Sequence, residues 1–150
     1  MKKLYAIGVL LAGLAIAGPA LAVYAGLSLS QAMTQFGLIG EWAAHCSQPP
    51  GRDNAHTRWS ANSESKGALL TDFGGGQTMT YDVNFAELID PGRIHLRLVN
   101  SDGTHLELIV EKRAGRVRTL SSVGSDGKAL INDGKFVSNG ADTVAQERCN

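Results

Sequence analysis

The residue types of hydrolytic catalysis are all present in this chain, but their spacing does not assemble a known constellation. No serine stands in the Gly-x-Ser-x-Gly turn that exposes a nucleophile at the end of a strand. The carboxylates are too dispersed to define a glycosidase-like pair; they are Glu41, Glu64, Asp72, Asp82 and Glu87. The one local pair worth inspection is His56 with Asp53, and the pattern as a whole favours a protein that is not an enzyme.

Neither the histidines nor the glycine run predicts a cofactor. His95 and His105 would share the outer face of a hairpin, but about 13 Å of strand separates them, too far for one metal ion. We therefore expect two solvated histidines. The three glycines at 74–76 lack the lysine and the helix that follow them in a phosphate-binding loop, so they predict a flexible hairpin tip.

The segment from Gln48 to Trp59 is the candidate functional loop because it concentrates mixed polar groups outside any regular pattern. Its candidate residues are Arg52, Asp53, His56 and Arg58. The alternative is an ordinary polar connection that two prolines stiffen.

Basic residues cluster around a turn at Gly115, where they could contact an anionic polymer or an acidic partner; they are Lys112, Arg113, Arg116 and Arg118. Glu107 and Glu111 lie nearby in sequence and partly neutralise the cluster, so we expect a solvated face. Without the first 22 residues the chain carries twelve basic and fourteen acidic residues. A net charge of −2 gives no general attraction to nucleic acid or anionic lipid.

The first 22 residues have the organisation of a cleavable signal peptide. Lys2 and Lys3 precede an uncharged apolar run over 4–17, and Ala20 and Ala22 supply the small residues of a cleavage site before Val23. The alternative is an uncleaved anchor, which Pro19 at the end of the run disfavours. No cysteine follows the cleavage site, which excludes lipid attachment there. We expect a periplasmic or secreted protein with no stable membrane anchor after cleavage.

The exported part has the length of one domain, with a short helix and lead-in over 23–38 and a β domain over 39–150. Ser30 is the expected cap of a helix that extends to Phe36. Turn signals at roughly ten-residue spacing then predict antiparallel strands. The predicted strands are 39–46, 56–61, 67–73, 77–85, 93–100, 104–112, 116–123, 129–137 and 142–149.

The hairpin over 93–112 is specific enough to predict a register. Its apolar residues share one face only if Asn100 pairs with Thr104 across a three-residue loop, with Gly103 in the left-handed conformation. This register places Arg97 opposite Glu107, and it also places Arg93 opposite Glu111. Both are expected to form cross-strand ion pairs.

Cys46 and Cys149 are the only cysteines, and an oxidising compartment favours their pairing. One ends the first predicted strand and the other ends the last, so a bridge would bring the terminal strands together. The sequence therefore predicts an all-β fold: a small antiparallel up-and-down barrel of about eight strands with a short N-terminal helix. The alternative is a β-sandwich with the disulfide across its two layers.

Gly40-Glu41-Trp42 at the opening of the first strand resembles the Gly-x-Trp signature of lipocalins and related small secreted barrels. The resemblance implies that Trp42 packs across the closed end of a barrel, beside Arg148 near the end of the last strand. The region 40–50 is also similar to small secreted proteobacterial proteins of unknown function.

These features favour an exported binding module as the functional class. It would hold a small apolar ligand inside the barrel or inhibit an envelope enzyme through its loops. If side chains fill the interior of the barrel, we expect the binding site to lie on its surface. The alternatives are a small periplasmic enzyme and a structural or assembly protein of the envelope, which would expose a large apolar patch.

Overall fold

The structure is a computed structural model that describes residues 26–150, so the expected signal peptide lies outside the described residues. One helix, α1 (Leu29–Phe36), precedes ten strands. The strands are β1 (Gly40–Ala43), β2 (His56–Ser63), β3 (Lys66–Asp72), β4 (Thr78–Asp90), β5 (Arg93–Val99), β6 (His105–Arg113), β7 (Arg116–Gly124), β8 (Ala129–Asn132), β9 (Lys135–Phe136) and β10 (Glu147–Cys149).

The ten strands form one antiparallel sheet in which each strand from β1 to β9 pairs with its neighbour in sequence and β10 pairs with β1. Two backbone hydrogen bonds then join Val117 of β7 to Gln146, the residue directly before β10. These two bonds connect β7 to the chain beside β10, and β10 pairs with β1, so that β1 to β7 and β10 make a ring of eight strands. The predicted all-β, up-and-down antiparallel barrel is confirmed.

Helix α1 begins two residues earlier than its sequence predicts. Ser28, rather than Ser30, is the N-cap, and it forms a reciprocal capping box with Gln31. Gly37 ends the helix in the left-handed conformation with φ of 77°. The buried face of the helix consists of Leu29, Ala32, Met33 and Phe36.

The interior of the barrel is filled by side chains from α1 and from the strands. Met33, Phe36 and Leu38 are almost completely buried, and they pack with the inward residues of the barrel wall. Those inward residues include Trp42, Trp59, Leu69, Val83, Leu88, Ile94, Leu96, Leu98, Leu108, Val110 and Val117. The buried side chains of the helix thus fill space that a hollow barrel would offer to a ligand.

The hairpin of β5 and β6 has the predicted register, with Asn100 bonded to Thr104 and Gly103 at φ of 83°. Arg97 and Glu107 form the expected ion pair, with 2.5 Å between Nε and Oε1. The second predicted ion pair is wrong, although Arg93 does lie opposite Glu111.

The partners of that second pair are both nearer in space. Arg93 bonds to Asp90 across the tight β4–β5 turn at 2.7 Å. Glu111 accepts a hydrogen bond from Arg118 of β7 at 3.0 Å. A strand has two neighbours, and the sequence pattern of one hairpin does not include the competing residue on the other side.

Several strand boundaries differ from the predictions for local reasons. The predicted strand 129–137 is divided by a turn at Asp133 and Gly134, both of which have positive φ. Strand β4 is longer than expected and extends to Asp90. Strand β7 contains an irregularity at Leu120, whose carbonyl accepts a hydrogen bond from Gly134 instead of pairing with β6.

The disulfide between Cys46 and Cys149 is present, as predicted, with an S–S distance of 2.02 Å. It links the loop after β1 to the last residue of β10, beside the three residue pairs that join these strands. Within residues 26–150, no helix has both the length and the apolar composition that a membrane crossing requires.

Candidate functional site

The predicted functional loop is held in a fixed shape by the buried amide of Asn54. Its Oδ1 accepts a hydrogen bond from the backbone N–H of His45 at 2.9 Å. Its Nδ2 lies within 3.1 to 3.3 Å of the carbonyl oxygens of His45, Gln48 and Pro49. One side chain therefore satisfies much of the loop's backbone, which makes the loop a structural unit.

The imidazole of His56 contacts Glu41 of β1 rather than Asp53, the neighbour that the sequence singled out for inspection. His56 Nδ1 lies 2.9 Å from Glu41 Oε1, and Nε2 lies 3.0 Å from the carbonyl oxygen of Gln48. Both ring nitrogens are thus engaged within the protein. His56 connects β1 to the loop and offers no free nitrogen for acid–base chemistry.

The other candidates from the loop lie apart from one another. Arg58 stands opposite Glu41 in the β1–β2 ladder and bonds to it at 3.0 Å. The pKa of the Glu41 carboxyl is lowered, chiefly by the hydrogen bond from His56 and then by that from Arg58. Arg52 and Asp53 are exposed at the tip of the turn, so the structure does not bring the four residues together as one site.

Trp42 and Arg148 are direct partners in the β1–β10 ladder. Trp42 is buried, and its Nε1 donates a hydrogen bond of 2.7 Å to the carbonyl of Leu38. The guanidinium of Arg148 lies over Gly40, where a Cβ would stand 3.1 Å from its Nε. Gly40 has φ of 133°, so both its conformation and this close approach favour glycine.

Three of the four basic residues near Gly115 share a surface, because Arg113, Arg116 and Arg118 line one open cleft beside the β6–β7 turn. Lys112 turns inward, donates a hydrogen bond to the carbonyl of Phe36 at the end of α1, and stands 4.7 Å from the centre of the Phe36 ring. Arg118 is paired with Glu111, and Arg116 lies 3.5 Å from Glu147. The expected solvated face is therefore wrong for Lys112, whereas the acidic partners of Arg116 and Arg118 partly neutralise the cluster as the sequence predicts.

The two histidines of the β5–β6 hairpin are in different environments. His95 is paired with Glu107 at 2.8 Å and packs edge-on against Phe85, so the expectation that it is solvated is wrong. His105 lies opposite Val99, on the predicted side of the hairpin. Across residues 26–150, no three histidine, cysteine or acidic side chains converge in a group that could hold a metal ion.

A cleft of about 200 Å³ opens between the barrel wall and the segment that follows β7. The buried side chains of Trp59, Val110 and Val117 line it from the barrel. Phe136 and Val144 line it from the segment. In this cleft, buried side chains of the core therefore meet exposed apolar side chains.

The polar side chains of the cleft are bonded within the protein. Thr57 donates to Gln146 Oε1 at 3.0 Å, and Gln146 Nε2 donates to the carbonyl of Ala55 at 3.2 Å. Thr143 Oγ1 lies 2.8 Å from the carbonyl oxygen of Thr119 and 3.1 Å from that of Gly134, and its single proton is shared between these two acceptors. The cleft therefore presents apolar surface to an incoming group.

Four exposed apolar side chains lie on the segment that follows β7, and we call them the apolar rim. They are Leu130 (48% exposed), Phe136 (39%), Val137 (59%) and Val144 (54%). Phe136 and Val144 line the cleft, whereas Leu130 and Val137 are on the same segment outside the lining. The N–H of Val137 bonds to the carbonyl of Leu130, which keeps these two residues adjacent. Most of the large exposed apolar side chains in the described chain belong to the rim.

Two pairs of consecutive apolar residues in the sequence indicate that some apolar side chains of this segment are exposed. Leu130 is followed by Ile131, and Phe136 by Val137. In a strand, two consecutive apolar residues point to opposite faces, so one member of each pair must be exposed or covered by another element.

Comparison of the chain with protein-family models, with curated proteins and with solved structures finds no match. The resemblance to lipocalins and related barrels therefore still depends on the Gly40 to Trp42 motif and on the position of Arg148.

Proposed function

We propose that the protein is an exported binding module that recognises another protein of the cell envelope through the cleft and the apolar rim. The observation that carries this proposal is the concentration of four exposed apolar side chains on one segment, two of which, Phe136 and Val144, line a cleft together with buried residues of the core. A group of exposed apolar side chains next to a pocket often marks a site of interaction with another protein.

The size of the cleft favours a protein partner over a small-molecule ligand. Sites for small molecules typically enclose about 300 to 1,000 Å³, whereas this cleft encloses about 200 Å³. It has space for one apolar side chain that projects from a partner's surface. The filled interior removes the support for an apolar ligand carried inside the barrel.

Export is the part of the proposal that the sequence and the disulfide support together. The segment 1–22 has the pattern of a cleavable signal, and the Cys46–Cys149 bridge is compatible with an oxidising compartment. One version of this proposal is an inhibitor of an envelope enzyme, in which an apolar side chain of the enzyme would enter the cleft.

The proposal is tested by placing a photo-crosslinking amino acid at Val137 in the full chain, expressed in its own host. The same amino acid at Ile89, which is 43% exposed outside the rim, is the matched control. We expect one discrete protein adduct from position 137 and none from position 89.

Substitution provides the second arm of the test. Val144→Ser in the crosslinking chain should abolish the adduct and leave the thermal midpoint nearly unchanged, because the side chain is already exposed. Equal adducts from both positions, or an adduct that Val144→Ser does not affect, would exclude the rim as the recognition surface.

A further inference from the structure

Strand β4 continues past the end of its neighbour β5 and leaves part of its edge without a partner strand. The last pair of the β4–β5 ladder joins Asp82 to Val99. Beyond Val99 the chain turns away, and the N–H of Asn100 bonds to the carbonyl of Thr104 in β6. The first residues of β4 are therefore paired only on the side of β3.

The alternation of hydrogen bonds shows which backbone groups are free. The N–H of Phe73 bonds to the carbonyl of Gln77 at 2.9 Å, which starts the β3–β4 ladder. Two residues further along, Met79 is the next residue of β4 to bond toward β3. The N–H and C=O groups of Thr78 and Thr80 then point the other way, toward the space beyond β5.

The hydrogen bonds of β5 independently indicate the same orientation for the backbone groups of β4. Because Asn100 bonds to Thr104, the odd-numbered residues of β5 bond toward β4, and Val99 is thereby bonded to Asp82. Thr80 is the next residue of β4 with that orientation. In the described part of the chain, the residue that would face it is Ser101, whose N–H is bonded to the Asn100 side chain.

A groove of about 430 Å³ lies along this free edge. Thr78, Thr80 and Asp82 line it from β4, while Val99 and Ser101 line it from the β5–β6 hairpin. Asp82 is the one charged side chain of the groove, it is exposed, and it has no ion-pair partner within residues 26–150.

We infer that the free edge of β4 binds an extended peptide segment of a partner protein that carries a basic residue. The segment would add to the sheet as a short strand in line with β5 and exchange backbone hydrogen bonds with Thr78 and Thr80. Its basic side chain would lie beside Asp82. This surface shares no lining residue with the cleft and the apolar rim, so the inference is independent of the proposed function.

A peptide fits this edge better than a second copy of the chain does. The free edge covers the few residues between Gln77 and Asp82. Two such short edges paired across a twofold axis would bury far less than the roughly 1,200 Å² at the low end of stable interfaces. An isolated extended segment needs only the edge and its groove.

Amide hydrogen exchange of the disulfide-bridged protein is the first measurement. The amides of Thr78 and Thr80 should exchange freely, and that of Met79, bonded to β3, should be protected. The probe is a capped hexapeptide of alternating lysine and valine at millimolar concentration. It should slow exchange at Thr78 and Thr80 by about tenfold or more while the amide of Met79 stays unchanged.

The controls separate strand addition from simple charge attraction. A hexapeptide with glutamate in place of lysine should give much weaker protection, and so should the lysine peptide on Asp82→Asn. The lysine peptide with every backbone nitrogen methylated should give none, because neither of its edges can donate to β4.

Thr80→Pro removes the free N–H and should abolish binding of the lysine peptide without loss of the fold, since proline is tolerated at unpaired edge positions. The inference is overturned if the lysine peptide protects neither amide of the original chain. It is also overturned if the methylated peptide binds the original chain as well as the lysine peptide does, or if the lysine peptide binds Thr80→Pro as well as it binds the original chain. Protection that rises with protein concentration alone would overturn it in favour of self-association.

Discussion

Asn54 shows how one buried side chain can determine the shape of a loop. Its amide is in contact with four backbone groups of the segment 45–49. Asn54→Ala leaves these groups without partners and should lower the free energy of unfolding by about 2 to 3 kcal/mol. Urea denaturation measures the change, and Asn84→Ala, at an exposed position, is the control, with an expected effect below about 0.5 kcal/mol. Equal effects would mean that the loop is held by other contacts.

Glu107 links stability to pH. Burial raises the pKa of this carboxyl, but hydrogen bonds from Arg97 and His95 outweigh it, and the pKa is lowered. A carboxyl with a lowered folded-state pKa contributes stability above the unfolded-state value of about 4.3 and loses it as the pH falls through the folded-state value.

Glu107→Gln should therefore be less stable than the original chain at pH 7, by about 1 kcal/mol. The difference should shrink as the pH falls from about 4 toward 2. Urea denaturation at a series of pH values measures it. A difference that is constant over this range would show that the carboxylate charge is not what stabilises the hairpin.

At the scale of elements, the β3–β4 turn, which contains the three glycines at 74–76, packs against the β1–β2 loop. The sequence predicts a flexible tip there. The structure instead packs Gly74 against Pro50, and a Cβ at Gly74 would stand 2.3 Å from the Pro50 carbonyl oxygen. A Cβ at Gly75 would meet nothing within 4 Å.

The two glycines form a matched pair because both have positive φ, 78° and 61°. Gly75→Ala should cost about 1 kcal/mol for the left-handed conformation alone. Gly74→Ala adds a backbone clash and should cost about 2 kcal/mol more. Thermal or urea unfolding of both variants gives the difference. Equal losses would contradict the packing of the turn against the loop.

Elements whose signal is local could be predicted from the sequence, and the β5–β6 hairpin is the clearest example. Alternation determined its register because a shift of one residue would expose every apolar side chain. The ion pair of Arg93 could not be predicted in the same way, since its observed partner lies on the preceding turn. Lys112 continues the inward phase of Val110, but its partner, the end of α1, is 76 residues distant in sequence.

At the scale of the whole molecule, the Cys46–Cys149 bridge holds the closing strand in place. Only three residue pairs join β10 to β1. The double variant Cys46→Ala/Cys149→Ala should lose about 3 to 5 kcal/mol of unfolding free energy, because the bridge closes a loop of about 100 residues. Urea denaturation measures the loss, and the original chain under reducing conditions should behave alike. A loss below about 1 kcal/mol would show that the barrel closes without help from the bridge.

The architecture followed from two sequence features, the regular turns and the single possible cysteine pairing. The positions of the functional candidates did not follow from the sequence. His56 reaches Glu41 only because β1 and β2 are adjacent, and the cleft exists only because the segment after β7 returns to the barrel wall. Contacts of this kind depend on the three-dimensional path of the chain, which a local pattern does not contain.

The strand that completes the ring has a consequence for how the protein folds. Strands β2 to β7 form by successive hairpins between neighbours in sequence, whereas the bridged cysteines of the closing strands are 103 residues apart. Pairing across such a distance is slow because the entropy of a large loop must be lost first. Until β10 docks, β1 and the first residues of β7, which β8 does not cover, present open edges, and a partly folded chain is prone to aggregate through them. Rapid formation of the disulfide would shorten that interval, so an oxidising environment would also protect the partly folded chain.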